Sequence, residues 1–302
     1  RKAQAIVQSD PDRRFVVPSA PGKRDDHDQK ITDLLYLCHA HAQQEISFED
    51  VFQRITDRFK KIIAELELSL DLDPHLEQIN RDITQGESPD YAASRGEFLI
   101  AQVMADLLGY RFVDARDVIF FDAKGQIDMT RTRQAMRTQL GDADGAVVPG
   151  FYGSGPDGKL KTLSRGGSDI SGAIVAASLR ADIYENWTDV PGLLMADPRI
   201  IENPRPIEKI SYRELRELAY MGSHVLHEEA IFPVRKETIP VNIRNTNQPD
   251  APGTMIVSEA ESLAHTGTIT GIAGQKDFTV IALEKALMNT QIGFGRRVLS
   301  VF

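Results

Sequence analysis

Short apolar runs alternate with helix-length amphipathic segments along most of this chain, and few folds accept that rhythm. RRFVVPSAPG (13–22), DVIFFD (117–122), GAVVPG (145–150), ADIYENWTD (181–189) and PVNIRN (240–245) read as buried strands feeding turns. Between them lie DLLYLCHAHAQQ after Thr32, TRTRQAMRTQLGD, and the apolar segment Ile170 to Leu179, all of helical length. Phe48, Val51, Phe52, Ile55, Phe59, Ile62 and Ile63 recur at helical spacing and predict one more amphipathic helix. Strands alternating with helices imply an α/β fold with a mostly parallel sheet.

Capping patterns set the expected helix starts. Thr32 is placed as an N-cap. Ser94 with Glu97, and Ser211 with Glu214, both fit a capping box. The helix after Ser94 is expected to stop at Gly109, and the one after Ser211 to run to Met221-Gly222.

The rhythm changes after the polar turn QPDAPGT. The tail TGTITGIAGQKDFTVIALEKALMNTQIGFGRRVLSVF reads as strand, loop, helix, strand. A domain boundary is expected there, giving domains at 1–260 and 261–302. About forty residues are too few for an independent core, so the second domain is expected to be only a beginning. The chain opens on RKAQAIVQSDPDRR, without an initiator Met or an apolar signal core, and is expected to be a piece of a longer one.

Composition narrows the function. The 302 residues are 41% hydrophobic with a net charge of -9, which argues against a nucleic-acid surface. No apolar run approaches the roughly 20 residues of a membrane span. A single cysteine, Cys38, excludes an intrachain disulfide framework and fits a reducing, cytoplasmic setting. Cys38, His39 and His41, or His224 and His227, lack the converging ligand pattern of a zinc site, and no metal site is assigned.

The chemistry concentrates between Gly150 and Arg199. Gly153 to Gly158 match GxGxxG literally, but Pro156-Asp157-Gly158 is turn chemistry and no helix follows. The same stretch nearly matches a phosphate loop, with Leu160 where a Mg²⁺-binding hydroxyl should stand. A hairpin turn fits better. Arg165-Gly166-Gly167-Ser168-Asp169 is more informative. Two glycines allow close backbone approach, helix amides point at the loop, and Arg165 carries an anion-binding fork. A capped helix would explain Ser168 and Asp169 but not Arg165 and the glycines. Thr188-Asp189 ends a strand, where α/β proteins bind ligands, or simply starts the turn Asp-Val-Pro-Gly. Asp197-Pro198-Arg199 reads locally as a surface turn.

These pieces together resemble the aspartate kinases of the amino acid kinase superfamily. The matching segments are VVPSAPGK, KITDLL, SRGEFL, GFYG, LSRGGSDISGAIVAASL, WTDVPGLLMADPR, SYRELRELAYMGSHVLH, IPVNIRNTNQPDAPGT and GIAGQKDFTVI. They occur in the family's order over nearly the whole chain. The resemblance implies a three-layer αβα sandwich with a mostly parallel sheet, followed by the start of an α+β ACT regulatory domain. It implies transfer of the ATP γ-phosphoryl group, with Mg²⁺, to the β-carboxylate of L-aspartate. By the same resemblance Arg165 would bind the α-carboxylate and Glu97 the ammonium, with Ser19 and Thr32 lining the pocket. Asp169 would orient a catalytic lysine, and Thr188, Asp189 and Arg199 would hold the nucleotide. Feedback by lysine and/or threonine, and a homodimer through ACT domains, are implied as well.

Two departures stand out. The family's KFGGSS motif, source of that lysine, is absent from these residues and is expected upstream of Arg1. His224 stands where many members carry a lysine near the phosphates, and a neutral histidine does not replace a fixed cation. The rivals are another kinase of the superfamily, acting on glutamate, acetylglutamate or UMP, and a catalytically silent ACT-type chain that only binds an amino acid. The ACT-like tail argues against the first rival, and the missing lysine motif would favour the second if the segment carrying it is truly absent from the natural protein.

Overall fold

A computed structural model of the chain describes residues 1–163, 166–220, 228–259, 269–272, 274 and 293–301. After a short helix α1 (Lys2–Gln8), three two-residue strands make the first sheet: β1 (Phe15–Val16), β2 (Arg111–Phe112) and β3 (Ala146–Val147). Their order is β1-β3-β2, and both pairings are parallel. Parallel neighbours need crossovers. Helices α2 (Ile31–Gln43), α3 (Glu49–Leu66), α4 (Asp73–Thr84) and α5 (Pro89–Leu108) lie between β1 and β2, and α6 (Met129–Leu140) lies between β2 and β3.

Strand alternation decides what covers each face of this sheet. Ala146 and Val148 pack with Met136 and Leu140 of α6 and with Ile174 and Val175 of α7 (Gly167–Leu179). Val147, between them, packs with Val7, Ala101, Ala105 and Leu108 of α1 and α5. Helices on both faces give the α/β architecture three layers.

The hairpin β4 (Tyr152–Ser154) and β5 (Leu160–Thr162) is antiparallel, and Gly155 to Lys159 form its turn. GSGPDG is therefore a hairpin turn rather than a phosphate loop. A second sheet contains β6 (Tyr184–Thr188), β7 (Lys209–Ser211), β8 (Val241–Asn245) and β9 (Thr254–Val257), in the order β6-β8-β9-β7. β6 with β8 and β7 with β9 are parallel, whereas β8 with β9 is antiparallel. Helix α7 serves both sheets: Ala173 and Ala176 pack into the second core while Ile174 and Val175 enter the first. That is why its sequence is apolar all round rather than striped.

α2 to α5 form their own helical layer. Of the seven apolar positions of α3 read from spacing, Phe48, Phe52, Ile55 and Phe59 are buried and the other three pack against them. Each fully buried side chain of this kind contributes about 1.5–3 kcal/mol.

Several local readings change. α5 starts at Pro89, with Ser88 as the N-cap that accepts from Tyr91 N at 3.1 Å. Ser94 and Glu97 thus lie inside a helix and cap nothing. Thr32 is likewise helical, since α2 starts at Ile31 after Lys30. Residues 117–122 form no ladder strand: a 3-10 turn over Ala115–Asp117 leads into isolated bridges of Phe120 with Ser154 and Phe121 with Ile127. The Ser211–Glu214 capping box does form ahead of α8 (Tyr212–Tyr220), with Ser211 N donating to Glu214 Oε2 at 2.9 Å and Glu214 N to Ser211 Oγ at 3.2 Å. In the tail read as strand, loop, helix, strand, residues 269–272 and 274 form no strand, and Phe294–Leu299 is a short helix where the second strand is expected. The rest of that tail, Arg165, His224 and Met221-Gly222 lie outside the described residues.

Candidate active site

The carboxyl ends of β1 and β3 point the same way, because the strands are parallel. Two loops leave that edge side by side. Gly150 N donates to Pro18 O at 3.2 Å and ties them together. A Cβ on Gly150 would lie 2.6 Å from Ser168 Oγ, so the first turn of α7 closes on the same spot. Phe151 is held there at φ 79°, a left-handed conformation costly for an aromatic residue, with its N–H donating to Ser171 Oγ at 2.9 Å. Gly153 is different. Its space is taken by Ile119 O at 2.5 Å, so packing explains that glycine.

α7 begins at Gly167 after Gly166 in the left-handed conformation (φ 73°), and no described side chain caps it. Ser168 and Asp169 stand in the first turn rather than at the cap. The dipole of such a helix start favours an anion.

α5 brings Glu97 to the β1 side of this opening. Glu97 is 5% exposed. Its Oε1 accepts from Ala20 N at 3.1 Å, while its buried Oε2 has no partner. Burial pushes this carboxyl up to about 7, against the weaker lowering pull of the Ala20 amide and the Arg95 guanidinium. Gly96 makes the approach feasible, since a Cβ there would fall 2.8 Å from Ala20 Cβ and 3.2 Å from Ile31 Cγ2. Ser19 beside Ala20 is exposed, and Thr32 beside Ile31 is half-buried. Arg95 is buried among the rings of Tyr91, Phe98 and Tyr152, which fastens α5 to β4.

β6 joins from the other side of α7. Tyr184, Asn186 and Thr188 share one face of the strand by alternation. Asn186 Nδ2 donates to Asp169 Oδ1 at 2.8 Å, and Tyr184 OH to Asp169 O at 3.1 Å. Thr188 ends the strand beside β8, and its carbonyl accepts from Thr246 N at 2.8 Å. Asp189 follows, exposed. The opposite face is held by Arg13, whose fork grips Glu185 at 2.7 and 3.1 Å, and by Arg244 at 3.1 Å, both over the Trp187 ring. Arg199 does not join this cluster in its described contacts. It is exposed and paired with Asp197 at 2.6 Å within its turn.

An opening between two parallel strand ends, a helix start with a glycine N-cap and a buried acid with a partnerless oxygen suits a charged amino-acid-like molecule next to a phosphate. The sequence profile of the amino acid kinase family matches residues 5–245. The chain belongs to the amino acid kinase family. Its relatives include aspartate kinases. Aspartokinase 3 of Bacillus subtilis is 37% identical over 98% of this chain and 68% of its own. The crystal structure of Clostridium acetobutylicum aspartate kinase superposes with a TM-score of 0.93 at 54% identity, over 99% of this chain and 69% of that one. Escherichia coli aspartokinase III, solved with aspartate and ADP, gives 0.72 at 26% identity, over 85% of this chain and 60% of that one. The same enzyme solved with lysine and aspartate gives 0.68 at 26% identity, over 85% of this chain and 61% of that one.

Sequence reasoning did not single out Ala20, Gly96, Tyr184 or Asn186 in this kinase chain. Gly96 carried a signal, being a glycine inside a helix, where it costs about 1 kcal/mol unless close packing needs it. Asn186 carried none, because its partner is seventeen residues upstream on another element. Among the described residues no group of three or more His, Cys, Asp or Glu converges as a metal cage.

Proposed function

We propose that this chain is the catalytic part of an ATP-dependent aspartate kinase. The partnerless, buried Oε2 of Glu97, on the same β1 loop that Gly150 joins to the first turn of α7, carries this reading. The oxygen faces no donor of its own and suits an ammonium group. The helix start suits phosphate oxygens.

In the reaction a β-carboxylate oxygen of L-aspartate attacks the γ-phosphorus of ATP. The bond to the β,γ-bridging oxygen breaks, and ADP leaves with 4-phospho-L-aspartate as the product. The nucleophile is already ionised near neutral pH, so no general base is needed. Catalysis then rests on positioning and charge neutralisation. Glu97 holds the ammonium, with Ser19 and Thr32 along the pocket wall. Arg165 takes the α-carboxylate. Asp169, steadied by Asn186 and Tyr184, orients the lysine of the family's KFGGSS motif. Thr188 and Asp189 take the nucleotide, and Arg199 swings from Asp197 to join them. Mg²⁺, when bound, neutralises charge on the phosphates.

The product feeds lysine, threonine and methionine biosynthesis in the cytoplasm. Residues from 261 onward open an ACT domain through which lysine and/or threonine act and through which two chains pair. The lysine complex of aspartokinase III supports an amino-acid effector. No helix of the described residues is long and apolar enough to cross a membrane.

The test is Mg²⁺- and ATP-dependent hydroxamate formation by the full-length protein, offered L-aspartate, L-glutamate or N-acetylglutamate, with UMP phosphorylation assayed in parallel. Turnover confined to aspartate supports the proposal. Turnover of another acceptor without aspartate activity overturns it.

A further inference from the structure

The segment between the two walls of the amino-acid pocket, Gly22 to Lys30, has one buried residue, and that residue is an aspartate. Asp28 is 8% exposed. Its Oδ2 accepts from Arg58 Nη1 at 2.5 Å and from Arg24 N and Nε at 2.9 Å each, and its Oδ1 accepts from Arg24 Nη2 at 3.0 Å. Arg58 comes from the middle of α3 and is also 8% exposed. Its Nη1 reaches Gln29 O at 3.3 Å, and its Nη2 donates to Gly22 O. One guanidinium therefore grips the segment at Gly22, Asp28 and Gln29. A lysine ammonium has its three donors on one nitrogen and cannot span the two sides that Nη1 and Nη2 reach.

The segment has no apolar anchor, since every other residue from Gly22 to Lys30 is exposed. A buried ion pair is by itself a weak stability device, because desolvation offsets much of the attraction. Its consequence here is positional. Gly22 is two residues from Ala20, whose N–H occupies Glu97 Oε1. Pro21 O accepts from Ile31 N at 3.3 Å and closes the segment's two ends next to Thr32. If Gly22 were released, the Ala20 amide and the first turn of α2 would be free to shift together.

We propose that Asp28 and Arg58 are positioning residues for the amino-acid substrate: they pin the Gly22–Lys30 segment so that Ala20 stays on Glu97 Oε1 and Oε2 stays free for the ammonium. The proposal rests on the aspartate kinase reading of that pocket. Neither residue touches the substrate; they act through the Ala20 amide.

The experiment is steady-state kinetics of the full-length protein and its Arg58→Lys, Arg58→Met, Asp28→Asn and Asp28→Asn/Arg58→Met variants, with thermal unfolding recorded for each. The expected result is a KM for L-aspartate raised about tenfold with a KM for ATP within about twofold. The double variant should be no worse than the worse single one, because the pair acts as one unit. Arg58→Lys retains the charge and the stem packed in α3, and it decides the matter if Arg58→Met does not fold. An unchanged KM for aspartate in Arg58→Lys overturns the inference, as does a parallel rise in both KM values. Failure of the unmodified protein to saturate with aspartate overturns the functional reading, and this inference with it.

Discussion

The backbone N–H of Ala20 donates to one oxygen of Glu97 at 3.1 Å, and the other oxygen, also buried, meets no donor. Half of this carboxylate is thus committed to the architecture of the β1 loop and half is left without a partner. Burial pushes its titration up to about 7. In the proposed role, an ammonium at Oε2 favours the ionised form, so protonation and substrate compete. The KM for aspartate should rise as pH falls from about 8 to about 6, and Glu97→Gln should raise it about 100-fold and flatten the profile. A pH-independent KM in the unmodified enzyme would remove Glu97 from the ammonium site.

The same carboxyl has an opposite effect on folding. Its folded value is raised from 4.5 to about 7, so between those values the native state binds more protons than the unfolded chain. Stability from this group therefore falls as pH rises through that window and is level above it. Glu97→Gln should stabilise the ligand-free protein by at most about 3 kcal/mol at high pH and by nothing below the unfolded value. Urea unfolding at two pH values measures the difference.

Glu185 behaves in the opposite sense. Burial pushes its pKa up, but the hydrogen bonds from Arg13 and Trp187, the charge of Arg13 and the Arg244 bond outweigh burial and leave it lowered. Its contribution is present above the unfolded value and is lost as pH falls through the folded one. Glu185→Leu would leave Arg13 and Arg244 without the carboxylate that both of them bind. The expected loss is about 3 kcal/mol in denaturant titrations near neutral pH.

Asn186 steadies Asp169 from a neighbouring strand. Asn186→Leu should lower kcat about tenfold with a small change in either KM, because it removes orientation rather than a substrate contact. Equal losses in kcat and in folded fraction would mark Asn186 as structural only.

At Gly150 there is no room for a methyl group. A Cβ would fall 2.6 Å from Ser168 Oγ and 3.0 Å from Pro18 O. Gly150→Ala should separate α7 from the β1 loop and lower kcat/KM about 100-fold. Gly295→Ala, where a Cβ meets nothing within 4 Å, should be neutral. Comparable losses in both variants would disprove the close-approach argument.

The capping patterns show where reading the chain succeeds and where it stops. Ser-x-x-Glu occurs at Ser94–Glu97 and at Ser211–Glu214. The second is a capping box, because a strand ends at Ser211 and a helix must start there. The first lies within a helix that Ser88-Pro89 had already begun, by the N-cap and first-position proline signal. Once inside the helix, Glu97 is carried to the Ala20 amide of the β1 loop. Two-residue strands such as Arg111–Phe112 escape notice for a related reason: two positions carry no period.

By itself the sequence determined the alternation of strands and helices, the apolar stripe of α3, the hairpin turn at Gly155–Gly158 and the family to which Gly166 through Thr188 belong. Those features are local, set by side-chain period, turn chemistry and motif order over a few residues. The tertiary structure alone decided that α7 serves two sheets, that Asp28 and Arg58 meet across thirty residues, and that Glu97 keeps one oxygen free. These depend on burial and on partners distant in the chain. Desolvation and hydrogen-bond satisfaction are properties of a packed neighbourhood, and no window of residues contains one.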